Sequence, residues 1–392
     1  MKTLLFFPRL EAEKPYHYMP ISALAVASEL LAQGHEVKIF DQRVDDPLWL
    51  DNEVFLSGQI MVSAYTGYQL SEAYKFIRYV KKTYPHKRVI MGGPHVTALP
   101  EQTLASPYVD EVVQGDIDTG EHPLPYWLID VDKYINPDTK RFIYITSYGC
   151  PGVCTFCSTK TKRPFKPLPL ERVKADIDSL MTRYPFREAV FFDATLFAMP
   201  DRVRFVADLM RRHRLQWIAD ARADEISRLS TLDISDLVFR GLTQLTIGLE
   251  SGSPRIIELM RKGKKHLKHY LQATEKLKQF PIKQVSGVVF GCPGETVDDL
   301  RQTIDYIKRI KEINPNFFIS TTFFKPLPDT VMTDIAKRYG YKEPQSLEEW
   351  AQAGKGTHYQ YNEFENSRWV LDIDEYRKIY EQFRSENEEL FI

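Results

Sequence analysis

Cys150-Pro151-Gly152-Val153-Cys154-Thr155-Phe156-Cys157 sets three of the chain's four cysteines within eight positions, directly after the apolar run 142–147. Such clustering points to metal ligation in a reducing compartment rather than to a disulfide scaffold. Working outward, strand-like runs at 142–147, 189–194, 216–221, 244–250, 284–291 and 317–324 alternate with helical stretches near 170–184, 200–213, 254–279 and 296–312. This alternation predicts an α/β domain, a partial parallel (β/α)6 barrel whose chemistry sits at carboxyl-end loops. The cysteine loop is the first of those loops. A zinc site closed by protein wants four ligands, and an electron-transfer iron–sulfur cluster four thiolates, so three clustered cysteines leave one iron open. The competing reading is three buried cysteines, or a zinc knuckle completed by a distant histidine.

Upstream, 3–7, 37–40, 60–64, 88–91 and 109–114 are short Val-, Ile- and Phe-rich runs bounded by Gly, Pro or Asp, as buried strands are. Helical spacing separates several of them: Ile21, Leu24, Ala25, Ser28 and Leu31 before Gly34, then Ala73, Phe76, Ile77 and Val80. The pattern predicts a doubly wound, Rossmann-like sheet with its ligand crevice over Tyr65-Thr66-Gly67, Gly92-Gly93-Pro94-His95 and Gly115-Asp116. We therefore place a first domain at 1–118, a Pro- and Gly-containing linker at 119–141, the barrel at 142–335 and a short carboxyl-terminal segment at 336–392. That last segment carries Tyr359, Tyr361, Phe364 and Trp369, which either cover the open barrel or pack on its wall.

The 392 residues suffice for two or three cores. With 52 Lys and Arg against 53 Asp and Glu, the net charge is −1, so no global basic excess attracts nucleic acid. Local basic runs exist at Lys160, Lys162, Arg163 and Lys166 and from Arg261 through Lys262, Lys264, Lys265, His266 and Lys268 to His269. Their ordinary meaning is a solvated helix end, and the alternative is an RNA contact. No window approaches the ~18 apolar residues of a membrane span. Met1–Pro8 is too short an apolar stretch for a signal peptide and suits a buried first strand, which points to the cytoplasm.

The cysteine spacing, with Phe156 before the last cysteine, resembles the signature of the radical S-adenosylmethionine (SAM) enzymes. Trp217 to Asp224, Gly248-Leu249-Glu250-Ser251-Gly252-Ser253, Met260-Arg261-Lys262-Gly263 and Phe290-Gly291-Cys292-Pro293-Gly294-Glu295-Thr296 extend the likeness to residues 142 to about 330. The resemblance implies that Cys150, Cys154 and Cys157 hold a [4Fe-4S] cluster whose open iron chelates SAM, and that one electron cleaves SAM to a 5′-deoxyadenosyl radical. It implies SAM contacts at Phe156, Arg222, Glu250 and Ser251. Asp193, in Phe191-Phe192-Asp193-Ala194-Thr195, stands in for the usual Gly-Gly-Glu-like turn, and Cys292 is expected to be a core side chain rather than a fourth ligand. Met19 to Leu24, Gly34 to Val37, Gly92 to Glu101 and Val112 to Asp116 are similar, in order, to the cobalamin-binding domain of one branch of this superfamily. That implies cobalamin contacts at Tyr65, Thr66, Gly67, Gly92, Gly93, Pro94 and His95, the glycines letting the backbone approach a flat corrin. None of the nine histidines has Asp two positions before it, so no histidine is expected below the cobalt.

The expected function is methylation of an unactivated carbon of a small-molecule or peptide substrate, with an external low-potential electron donor and no nucleic acid. The alternatives are a radical SAM cyclase or rearrangement enzyme, an RNA-modifying enzyme without methyl transfer, and a non-catalytic iron–sulfur electron carrier. A doubly wound domain can also persist without a cofactor.

Overall fold

The computed structural model describes residues 1–10, 17–160, 164–354 and 369–392, apart from the Lys160 side chain. Lys162, Arg163, Tyr359, Tyr361 and Phe364 lie outside the described residues. In chain order the first elements are β1 (Lys2–Phe7), α1 (Ile21–Ala32), β2 (Glu36–Asp41), α2 (Leu50–Leu56), β3 (Gln59–Ser63), α3 (Tyr68–Thr83), β4 (Arg88–Gly92), α4 (Pro94–Ala98), α5 (Pro100–Leu104) and β5 (Glu111–Val112). Then come β6 (Arg141–Tyr144), β7 (Ser147–Tyr148), β8 (Lys166–Pro167), α6 (Leu170–Arg183), β9 (Glu188–Phe191), α7 (Pro200–Arg212), β10 (Gln216–Ala221), α8 (Ala223–Arg228), α9 (Thr231–Phe239) and β11 (Leu242–Ile247). The last are α10 (Pro254–Leu259), α11 (His266–Leu277), β12 (Lys283–Phe290), α12 (Val297–Ile313), β13 (Phe317–Phe323), α13 (Val331–Arg338), α14 (Leu347–Ala353) and α15 (Ile373–Glu386). Two compact units result: Met1–Ile143 with Ser158–Phe186 and Glu343–Tyr359, and Tyr144–Cys157 with Arg187–Lys342 and Gln360–Ile392.

The first unit holds a five-stranded sheet of order β2-β1-β3-β4-β5 whose pairs are all parallel. The order reverses between β1 and β3, which puts a ligand crevice at their carboxyl ends. Leu4, Phe6, Ile60, Val62, Val89 and Met91 supply the sheet's side of a core filled by Ala73, Phe76, Ile77 and Val80 of α3. Residues 119–141 carry linker-like Pro and Gly, yet Leu124, Tyr126, Val131 and Tyr134 are buried. The Ser28 hydroxyl donates to the carbonyls of His122 and Pro123, and Tyr134 donates to Asp41 at 2.9 Å. Composition reports turns, but burial of these four apolar side chains is what fixes the segment.

The second sheet has the order β13-β12-β11-β10-β9-β6, an unclosed row in which each crossover passes through at least one helix. Along β10 the side chains alternate: Trp217, Ala219 and Ala221 are buried on one face, Trp217 against Phe191, while Ile218 and Asp220 take the other. The predicted helix at 254–279 is two helices, because Arg261 and Gly263 adopt left-handed backbone, with φ of 53° and 100°, between α10 and α11. Within the carboxyl-terminal segment, where no periodicity was evident, α15 buries Tyr376, Tyr380 and Phe383. Trp369 packs in the wall, its indole donating to Gly291 O at 2.7 Å and its ring edge-on to Phe324 and Tyr341.

Candidate functional site

Two sets of carboxyl-end loops are candidates, one in each unit. In the second unit, the cysteine loop is stitched down through its one buried member, Thr155. Thr155 donates from N to Met260 O at 3.1 Å and from Oγ1 to Leu259 O at 2.8 Å, and accepts from Met332 N at 2.9 Å. Cys150, Cys154, Phe156 and Cys157 are left partly exposed around that anchor. Gly152 packs closely in the loop: a Cβ there would lie 2.9 Å from Arg222 Nη1 and 3.3 Å from Cys150 Sγ.

The three thiols fit a cluster in donor chemistry. Among the described residues no three His, Cys, Asp or Glu side chains converge as on a single metal ion. A four-iron cluster takes one thiolate per iron, so its ligands surround a volume rather than a point. Burial pushes the Cys154 thiol up, and the cations of Lys262 and Arg222 pull it back.

Each expected SAM contact has a definite place. Arg222 follows β10 and pairs with Asp224 at 3.1 Å. Glu250 is left-handed (φ 66°), is clamped onto β12 through Gly287 O and Val289 N, and holds Lys262 Nζ at 3.0 Å. Gly248 makes room for that pair, since a Cβ would stand 2.2 Å from Glu250 Oε1. Ser251 is enclosed and hydrogen-bonded to Thr303 and to Ser253 N, so its hydroxyl serves the junction with α12 rather than the cysteine loop. Asp193 is likewise enclosed and accepts from Thr146 N, Thr146 Oγ1 and Ser147 Oγ. It braces the segment that leads into the cysteines. Cys292 is fully buried, which pushes its thiol well up, and it is a core side chain.

Sequence reasoning missed Lys262 and Asp220. Lys262 was read within a solvated basic run, but its side chain is 7% exposed, and His266 of the same run is buried with Nε2 on Leu249 O at 3.0 Å. Asp220 lies two residues before Arg222, a period-two signal. Burial pushes it up to about 6, against a hydrogen bond from Thr246 on the neighbouring strand. A cavity of about 610 Å³ opens beside the loop, lined by Gly152, Val153, Phe197, Arg222, Glu225 and Leu237 among others.

In the first unit, the predicted loops do meet at the carboxyl end of the sheet. Tyr65 is half exposed, and Thr66 Oγ1 lies 2.9 Å from His95 Nδ1. Gly67 (φ 114°) starts α3, while Gly92 ends β4 and Gly93 (φ 93°) starts α4 with Pro94 in its first turn. A Cβ on Gly93 would come within 2.5 Å of Ser63 Oγ and 2.8 Å of Ala64 N, so the chain's own β3 loop requires this glycine without any corrin. His95 is 1% exposed, lies edge-on to Trp350 at 5.7 Å, and is pushed down to about 3 by burial. Its Nε2 is a buried polar atom without a partner among the described residues, as expected where a ligand supplies the missing group. With the crevice at the β1/β3 reversal, these residues fit a polar cofactor. Helix α14 returns to the same place: Trp350 donates to Gln102 at 3.0 Å, and a Cβ on Gly354 would meet Gly67 O at 2.4 Å.

Comparison with known proteins agrees with both units. Residues 144–307 match the family model of the Radical SAM superfamily, and residues 12–124 that of the B12 binding domain. An uncharacterized methyltransferase of Pyrococcus horikoshii is 25% identical over 367 residues, covering 81% of this chain and 78% of that protein. The bacteriochlorophyllide d C-12(1)-methyltransferase of Chlorobaculum tepidum is 22% identical over 350 residues, 80% of this chain and 74% of that protein. The structure of the radical SAM methyltransferase TsrM from Kitasatospora setae, with cobalamin and a [4Fe-4S] cluster bound, superposes with a TM-score of 0.68. It is 15% identical and covers 88% of this chain and 79% of that one, a likeness of fold. With three thiols on a barrel loop and a B12-binding sheet ahead of them, the chain carries a radical SAM domain preceded by a B12-binding domain.

Proposed function

We propose that this enzyme is a cobalamin-dependent radical SAM methyltransferase acting on an unactivated carbon of a small-molecule or peptide substrate. The observation that carries the reading is the union of the two domains in one chain, together with relatives named as methyltransferases over about four fifths of it. When bound, the cluster and SAM supply a carbon-centred radical, and cobalamin carries the methyl group. Cys150, Cys154 and Cys157 would hold the cluster, and its remaining open iron would take SAM. Arg222 and Glu250 would meet the charged ends of that ligand, and Phe156 would flank it. Asp193 and Thr155 keep the loop in register, while Thr66 and His95 present polar atoms to the cobalamin. The net charge of −1 and the inward turn of Lys262 and His266 favour a substrate other than nucleic acid. Free thiols and an external low-potential electron donor suit a reducing, cytoplasmic compartment.

The test is stoichiometry. One SAM is consumed as radical source and one as methyl donor, so 5′-deoxyadenosine and S-adenosylhomocysteine should accumulate about one to one, with labelled methyl entering product. Deoxyadenosine without label in cobalamin or product would point to a cyclase or rearrangement enzyme. An electron carrier would form neither.

A further inference from the structure

Lys262 is a buried cation held beside the cysteine loop by the turn that ends α10. Arg261 takes up left-handed backbone just before it and Gly263 just after it, which ends α10 and turns the lysine inward. Gly248 lies against it, since a Cβ there would stand 3.1 Å from Lys262 Nζ. The loop is brought to this place by the two Thr155 hydrogen bonds to Leu259 and Met260, the residues that lead into the turn. Glu250 pairs with Lys262 at 3.0 Å, and Lys262 and Arg222 are the two cations whose field reaches the Cys154 sulfur.

We infer that Lys262 is the buried counter-ion of the iron–sulfur cluster, raising its reduction potential by stabilising the form with one more negative charge. Cluster potential depends on net charge, hydrogen bonding to sulfur and solvent exposure, and a desolvated cation near one thiolate acts through the first. The step is the addition of one electron to the oxidised cluster, supplied by an external low-potential donor, with no bond made and no proton moved. Lys262 is a positioning residue in this account, since it acts through the cluster and its neighbour Glu250.

The experiment is a redox titration with dithionite, followed by paramagnetic resonance, on protein reconstituted with iron and sulfide and free of SAM and cobalamin. It needs no substrate and no methyl transfer, so its outcome is independent of the function proposed above. Lys262→Met should disfavour reduction about tenfold, a potential about 59 mV more negative for one electron. Lys262→Arg should restore most of the shift, and Glu250→Gln, which removes the opposing charge, should move the potential the other way. An unchanged potential in Lys262→Met at full iron content overturns the inference. If that variant fails to hold a cluster, Glu250→Gln decides: an upward shift supports the inference and no shift overturns it.

Discussion

Glu295 shows how one residue couples the barrel turn to the last helix. It is fully buried after β12; Oε2 accepts from Cys292 N at 2.7 Å, and the Tyr376 hydroxyl of α15 lies against it. Burial pushes its carboxyl up to about 8, with Asp299 adding to the rise and the backbone N–H of Cys292 opposing it. The folded protein therefore keeps a proton that the unfolded chain releases near the ordinary carboxyl value of 4.5. Stability should fall as pH climbs through the window from about 4.5 to about 8. Urea midpoints at pH 5 and pH 8 should differ less in Glu295→Gln than in the parent protein. An identical pH dependence in both would remove Glu295 as the cause. None of this is written in the motif Cys292-Pro293-Gly294-Glu295, which reads only as a turn until α15 closes over it.

At the scale of elements, the junction of β3, β4 and α4 rests on Gly93. An alanine there meets both a positive φ and atoms of Ser63 and Ala64. Gly93→Ala should cost about 1–3 kcal/mol, measured by urea unfolding with no cobalamin present. Gly34→Ala is the control, since its φ is also positive (80°) but its Cβ would meet nothing within 4 Å. If Gly93→Ala unfolds at the same urea concentration as Gly34→Ala, the close approach to β3 is not what selects glycine. The strands of both sheets were legible from short apolar runs, and most boundaries fall within a few residues of those expected. The break between α10 and α11 was missed: Gly263 is a helix-stop signal, but the left-handed arginine two residues before it has no propensity signature. Helix α14 was hidden for another reason: it is only seven residues long, and its buried face is defined by His95, Gln102 and α3, far away in sequence.

Across the whole molecule, each unit has its own core, and the cysteine loop is tied down by hydrogen bonds within the protein. Removing iron with a chelator should therefore leave the chain folded and still able to bind cobalamin, read from the absorbance of the bound cofactor. The cob(II)alamin spectrum should carry no nitrogen coupling from protein. His95 Nδ1 is paired with a threonine hydroxyl, and lacks the carboxylate that orients and strengthens a metal-bound imidazole. Coupling that changes on nitrogen-15 labelling of histidine would overturn that expectation, and loss of cobalamin on chelation would overturn the independence of the two sites. Among the described residues no helix is long and apolar enough to cross a membrane.

The sequence by itself determined the class of chemistry, because three cysteines at fixed short spacing are a local pattern and thiolate ligation needs little more than local geometry. It also determined both parallel sheets, since period and punctuation are properties of short windows. Only the tertiary structure decided the electrostatics around the cysteines. Lys262 stands over a hundred residues from Cys154 and lies in a run that looks solvated, Asp193 and Ser251 spend their polar atoms inside the protein, and Gly93 answers to Ser63. Those outcomes depend on which side chains share a buried volume, and burial turns a charge or a missing Cβ from a neutral detail into a constraint.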